Sequence, residues 1–150
     1  MARMGTRVAA LAQRMATTHS PRARLLVVDD NRDAAATLAM LLELAGYDVE
    51  TCDDGVCALH RAGEVRFDAF VLDLGLPGLD GYELARALRS AACSRNAVIV
   101  AVSGYGSPED RRRSAAAGFD AHFVKPVEAA MLANHLEAAF RRGESAVSTT

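Results

Sequence analysis

Val71-Leu72-Asp73-Leu74-Gly75-Leu76-Pro77-Gly78-Leu79-Asp80-Gly81 is the stretch on which the reading of this chain turns. The apolar run from Ala69 to Leu72 has the length and character of a strand buried on both faces. It delivers one carboxylate, Asp73, where the strand ends. The loop that follows is dense in glycine and proline, so its backbone can turn sharply and aim carbonyl groups back at that carboxylate. A strand tip with an acid and a folded-back loop is the outline of a site.

The flanking sequence repeats the unit of strand, turn and helix. Upstream, Leu25-Leu26-Val27-Val28 is a second buried-type strand and ends in Asp29-Asp30. Residues Asn31 to Ala45 place Leu38, Leu41, Leu42 and Ala45 on one helical stripe that stops at Gly46. Asp48 to Cys52 is a weaker, partly charged strand, and Asp54 is placed to cap a helix running to Gly63. Downstream, Asp80 and Glu83 have capping-box spacing ahead of a helix toward Ala92. Ala97 to Val102 is the most apolar strand and ends at Ser103, before Gly104-Tyr105-Gly106. Ser107 caps the next helix, with Pro108 in its first turn and Gly118 past its end. A short strand, Ala121 to Val124, ends at Lys125-Pro126. A last helix begins at Glu128, turns Met131, Leu132, His135, Leu136 and Phe140 inward, and gives way to a polar tail, residues 141–150, expected to be disordered.

Five alternations of strand and helix predict an α/β fold, a doubly wound (βα)5 parallel sheet of flavodoxin-like type with helices on both faces. The first, third and fourth strands are continuously apolar, whereas the second and fifth are short or charged and belong at the edges. That selects the order 2-1-3-4-5, with the ligand crevice at the carboxyl ends of the strands, between the first and third.

Length and charge narrow the function classes. A chain of 150 residues, 51% apolar, fits one domain with a full core. The domain is expected over 24–140, after a flexible basic leader, 1–23, whose Met4, Val8, Leu11 and Met15 could also form a short amphipathic helix. A formal net charge of -2 gives no footprint for nucleic acid or an anionic membrane. No apolar run reaches the roughly 20 residues of a membrane span, so a cytoplasmic protein is expected. Cys52, Cys57 and Cys93 form no CxxC pair, and reduced, packed thiols are expected.

Set side by side, the strand tips bring together Asp29, Asp30, Asp73, Ser103 and Lys125. Three carboxylates within about 4 Å repel by roughly 4 kcal/mol per pair at a protein-surface dielectric, more than one lysine offsets. A divalent cation is implied, and an all-oxygen site that shares its ion with a phosphoryl group suits Mg²⁺. Lys125 is the one lysine among 17 basic residues, a compact point charge suited to a phosphoryl oxygen. Asp73 is then placed as a nucleophile that forms an aspartyl phosphate.

The set Asp29-Asp30, Val71 to Gly81, Ser103 and Lys125-Pro126 resembles the receiver domain of two-component response regulators. The wording of Gly81-Tyr82-Glu83-Leu84-Ala85-Arg86 and of His122-Phe123-Val124-Lys125-Pro126 resembles receivers of hybrid histidine kinases. The resemblance implies that Asp73 accepts phosphate from a histidine kinase or histidine phosphotransfer protein. It also implies that Asp30, Asp73 and the Gly75 carbonyl bind Mg²⁺ while Asp29 holds the metal's water shell. Lys125 would pair with the phosphoryl group, Ser103 would swing to hydrogen-bond it, and the Lys125-Pro126 peptide would be cis. Where the family usually has Phe or Tyr three residues before the lysine, this chain has His122. That imidazole is either an edge-strand group facing solvent or a switch that still turns inward, less readily when protonated. The run Arg111-Arg112-Arg113 is either a solvated helix face or part of a partner-docking surface.

The expected role is a phosphorylation-controlled binding module that is not itself an enzyme, with no output domain after its last helix and an unidentified downstream protein target. Two alternatives stand beside it: a relay intermediate or receiver fragment of a hybrid kinase, and, more remotely, a Mg²⁺-dependent phosphohydrolase. The phosphohydrolase needs a second acid two residues after its nucleophile, and Gly75 occupies that place.

Overall fold

A computed structural model describes residues 22–148, with side chains through Gly143. All of the leader but Arg22 and Ala23 lies outside the described residues. Five strands, β1 (Arg24–Val28), β2 (Asp48–Cys52), β3 (Ala69–Asp73), β4 (Val98–Ser103) and β5 (Ala121–Val124), alternate with five helices. The helices are α1 (Arg32–Leu44), α2 (Gly55–Glu64), α3 (Gly81–Ser90), α4 (Pro108–Ala117) and α5 (Ala129–Ser148). The sheet is parallel throughout and its order is 2-1-3-4-5.

Successive side chains of a strand point to opposite faces, and this divides the core in two. Leu26, Val28, Phe70, Leu72, Ile99 and Ala101 face α2, α3 and α4, where they meet Ala58, Leu84, Leu88 and Ala117. Leu25, Val27, Ala69, Val71, Val100 and Val102 face α1 and α5, where they meet Ala35, Leu42, Leu132 and Leu136. Every residue of β3 is buried, the burial expected of the central strand of a doubly wound sheet.

Helix starts follow the local rules. The side chains of Asn31, Asp54, Asp80 and Ser107 accept backbone N–H groups in the first turns of α1, α2, α3 and α4. Helix α4 closes a full capping box between Ser107 and Asp110 and ends on Gly118 at φ 104°, in the left-handed region. Two helix faces differ from the expected stripes. Helix α1 buries Ala35, Ala39 and Leu42 and leaves Leu41 outside, because small residues let the helix lie close to the sheet. On α5, Leu132 and Leu136 are buried but Met131 is exposed. Helix α5 also continues to Ser148, past Arg141 where its apolar pattern ends. No proline interrupts that segment, and helix propagation adds one hydrogen bond per residue fixed.

Candidate functional site

The site is assembled where β1, β3, β4 and β5 end. Val28 pairs with Leu72, so Asp29 and Asp73 emerge side by side, and Asp30 follows on the turn into α1. One carboxylate oxygen from each of Asp29, Asp30 and Asp73 lies within 4.8 Å of the others. Asp29 and Asp73 are buried and Asp30 is exposed, so the cluster is a half-sunken bowl with one acid at its rim.

The two buried acids are held by backbone and by one cation. Asp29 Oδ1 accepts the N–H of Asn31 at 3.0 Å, and Asp73 Oδ1 accepts the N–H of Gly75 at 2.9 Å. The Lys125 ammonium donates to Asp73 Oδ2 at 3.1 Å and lies 3.8 Å from Asp29 Oδ2. Burial pushes the Asp29 carboxyl above its ordinary range, and the neighbouring Asp73 charge adds to this against the Asn31 bond and Lys125. Burial works against the Lys125 ammonium, but the Asp73 hydrogen bond and the charges of Asp73, Asp29 and Asp30 outweigh it and raise its pKa. The Lys125-Pro126 bond is cis.

The loop after β3 is bound tightly to the site. A Cβ on Gly81 would stand 2.8 Å from the Asp73 carbonyl oxygen and from Leu74 Cα. Only a residue without a side chain lets α3 start this close to the strand that carries the acid.

Beside the acids, Ser103 and His122 meet each other. The Ser103 hydroxyl donates to the Tyr105 carbonyl and lies 2.8 Å from His122 Nε2, which is itself 2.9 Å from the Tyr105 carbonyl. On the other edge of the ring, Nδ1 is 2.8 Å from the hydroxyl of Ser114, a buried residue of α4. A carbonyl only accepts, so Nε2 carries a hydrogen. Nδ1 either accepts from Ser114 or, in the charged ring, donates to it while Ser114 keeps its bond to the Asp110 carbonyl at 3.0 Å. The ring is therefore turned inward and partly buried, not set in solvent, and both of its protonation states find partners. The place it occupies is polar rather than an apolar gap.

The three arginines of the run are exposed, and two of them also hold local contacts. Arg111 donates to the carbonyls of Gly106 and His122, each at 3.3 Å, and the Arg113 guanidinium lies 4.2 Å from the centroid of the Tyr82 ring. Ser114 and Tyr105 are partners that no local pattern marks, since the sequence gives no sign that α4 folds over β5 at His122.

Carboxylates of this arrangement offer hard oxygen donors to a divalent cation and a nucleophile steadied by an ammonium. Residues 25–137 match the response regulator receiver domain. The chain belongs to the response regulator receiver family. Over 128 residues the receiver is 41% identical to the transcriptional regulatory protein PrrA of Mycobacterium leprae, covering 85% of this chain and 54% of that protein. The chain thus spans about half the length of such curated relatives. Among solved structures it resembles the chemotaxis response regulator CheY4 of Vibrio cholerae, at a TM-score of 0.74 and 31% identity, covering 79% of this chain and 98% of that one. It also resembles the receiver domain of the sensor histidine kinase PA1611 of Pseudomonas aeruginosa, at a TM-score of 0.72 and 31% identity, over 78% and 96% of the two chains. That kinase receiver has a magnesium ion coordinated in its active-site cleft.

Proposed function

We propose that this receiver takes a phosphoryl group onto Asp73 from a histidine kinase or a histidine phosphotransfer protein in the cytoplasm. The carrying observation is the placement of the Lys125 ammonium 3.1 Å from Asp73, in a cluster of three acids whose oxygens lie within 4.8 Å. A carboxylate oxygen of Asp73 attacks phosphorus, the P–N bond to the donor imidazole breaks, and the imidazole leaves with its electron pair and takes a proton. Lys125 neutralises oxygens of the group in transit and of the aspartyl phosphate. The Asp29, Asp30 and Asp73 carboxylates would hold a Mg²⁺ ion, with the Gly75 carbonyl as the further ligand that the family implies, and the bound ion would supply further neutralisation of the phosphoryl oxygens. Ser103 then leaves the Tyr105 carbonyl and the His122 ring to donate to the new phosphoryl group, and this moves α4 through Ser114. The switched face meets a downstream protein, and the receiver turns over no separate substrate.

Acetyl phosphate with Mg²⁺ should add one phosphoryl group to the intact mass, and Asp73→Asn should abolish the addition. An Asp73→Asn protein that still gains the group sinks the assignment.

The likeness to a histidine kinase receiver supports a second reading, a relay intermediate or the receiver of a hybrid kinase. Return of the phosphoryl group from Asp73 to a phosphotransfer histidine distinguishes it. A phosphohydrolase lacks support because Gly75 stands where its second acid belongs. Multiple turnover of a generic phosphate ester would reinstate that possibility.

A further inference from the structure

The cysteines of the C-x₄-C segment Cys52-Asp53-Asp54-Gly55-Val56-Cys57 take no part in the proposed phosphorylation. Cys52 is the last residue of β2 and Cys57 sits in the first turn of α2. Both backbones are pinned. Cys52 pairs with Val28 in the ladder and its carbonyl accepts the Asp29 N–H at 3.1 Å, while the Cys57 N–H donates to the capping Asp54 carboxylate at 2.7 Å. This strand-to-helix turn brings the two sulfurs to 2.6 Å. The two thiols are free and their sulfurs lie in direct contact. Their environments differ. Cys52 is buried at 6% exposure, whereas Cys57 is half-buried and lines a surface groove with Val56, His60 and Arg61.

We propose that Cys52 and Cys57 are a reversible redox site, closed to a disulfide by a peroxide and reopened by a dithiol. Cys57, the sulfur an oxidant reaches first, attacks one peroxide oxygen as a thiolate. The O–O bond breaks, Cys57 becomes a sulfenic acid, and one water leaves. The Cys52 sulfur attacks the sulfenic sulfur, the S–O bond breaks, and the Cys52 proton leaves with the hydroxide as a second water. Overall, two thiols and one hydrogen peroxide become one disulfide and two waters. A dithiol reverses the bond by exchange and is itself oxidised to a disulfide. Burial, with the Cys57 contact adding to it, pushes the Cys52 thiol up to about 12. That keeps Cys52 a protonated, unreactive thiol toward peroxide and leaves Cys57 as the sulfur that meets the oxidant.

Peroxide should act on the intact chain, followed by quenching, denaturation and alkylation. The three cysteines of the reduced protein each take a label. After peroxide, only Cys93 should take one, and the tryptic segment 33–61, which holds both other cysteines, should be lighter by two hydrogens. Dithiothreitol should restore all three labels. Cys57→Ser, a change at the half-exposed position, should leave Cys52 fully alkylatable after the same treatment. Cys52→Ala, checked for folding by its thermal melt, should gain oxygen at Cys57 instead of losing hydrogen. Wild-type protein that ends with extra oxygen on Cys57 and a free Cys52 overturns the proposal. So does oxidation that only links chains to one another while Cys52 stays free.

Discussion

His122 spends its ring nitrogens on Ser103, Tyr105 and Ser114, and this makes it a clamp on the hydroxyl that phosphorylation is proposed to recruit. If Ser103 must leave His122 to reach a phosphoryl group, removing the imidazole lightens that step by one hydrogen bond, worth about 1 kcal/mol. His122→Phe should therefore tighten the binding of beryllofluoride, a phosphoryl mimic, by about fivefold, the equivalent of that energy. Titration by fluorescence or NMR measures it, and unchanged or weaker binding would show that the ring does not restrain Ser103. The same substitution should lower the melting temperature of the unphosphorylated protein by only a few degrees. Ser103 keeps its bond to Tyr105 and Ser114 keeps Asp110, so no buried hydroxyl is orphaned.

Among the elements, α3 and α4 carry the most local information and give the sharpest tests. In α4 the capping box ties Ser107 to Asp110, and the Ser107 hydrogen bonds hold the Asp110 carboxyl below its ordinary 3.8. A carboxyl lowered on folding stabilises the protein above its unfolded pKa, and that stability is lost as pH falls through the folded value. Ser107→Ala should lower stability at neutral pH, and the gap from wild type should narrow as pH drops below 3.8. Urea melts at two pH values check this, and a gap that widens on acidification would mean that the cap does not act through Asp110. In α3, Gly81→Ala forces a methyl against the backbone of Asp73 and Leu74, an overpacking that costs about 1–3 kcal/mol. It should also slow acetyl phosphate labelling of Asp73, because the displaced atoms belong to the acid itself. Normal labelling at normal stability would show that the loop yields freely. Such caps and turns were legible in the sequence because each is set by residues within four positions. The rotation of a helix was not, as Leu41 and Met131 show, because it depends on how closely the sheet beneath allows the helix to lie.

Across the whole molecule, sheet order and the meeting of Asp29, Asp30, Asp73 and Lys125 could be read from strand character alone, since a parallel sheet collects its strand ends on one edge. Contacts made across elements without such a rule could not, and both Ser114 on His122 and Cys52 on Cys57 are of that kind. The acid cluster also sets a property of the fold as a whole. Asp29 has its carboxyl pKa raised by burial and by Asp73, so its favourable contribution is full below 3.8 and is lost as pH rises through the raised value. At neutral pH the ionised Asp29 therefore works against folding while Lys125 works for it, and a bound cation should add to the neutralisation. At a Mg²⁺ concentration one hundred times the Kd, the linkage stabilises by about 2.7 kcal/mol. For a chain of this size that lifts the melting temperature by about 5–10 °C. Asp30→Ala removes one ligand and one repelling charge together, so its melt in chelator should match or exceed that of the wild type, and added Mg²⁺ should move it little. A wild-type melt indifferent to millimolar Mg²⁺ would remove the cation from the site. An Asp30→Ala protein markedly weaker than the wild type in chelator would mean that Asp30 supports the fold rather than straining it.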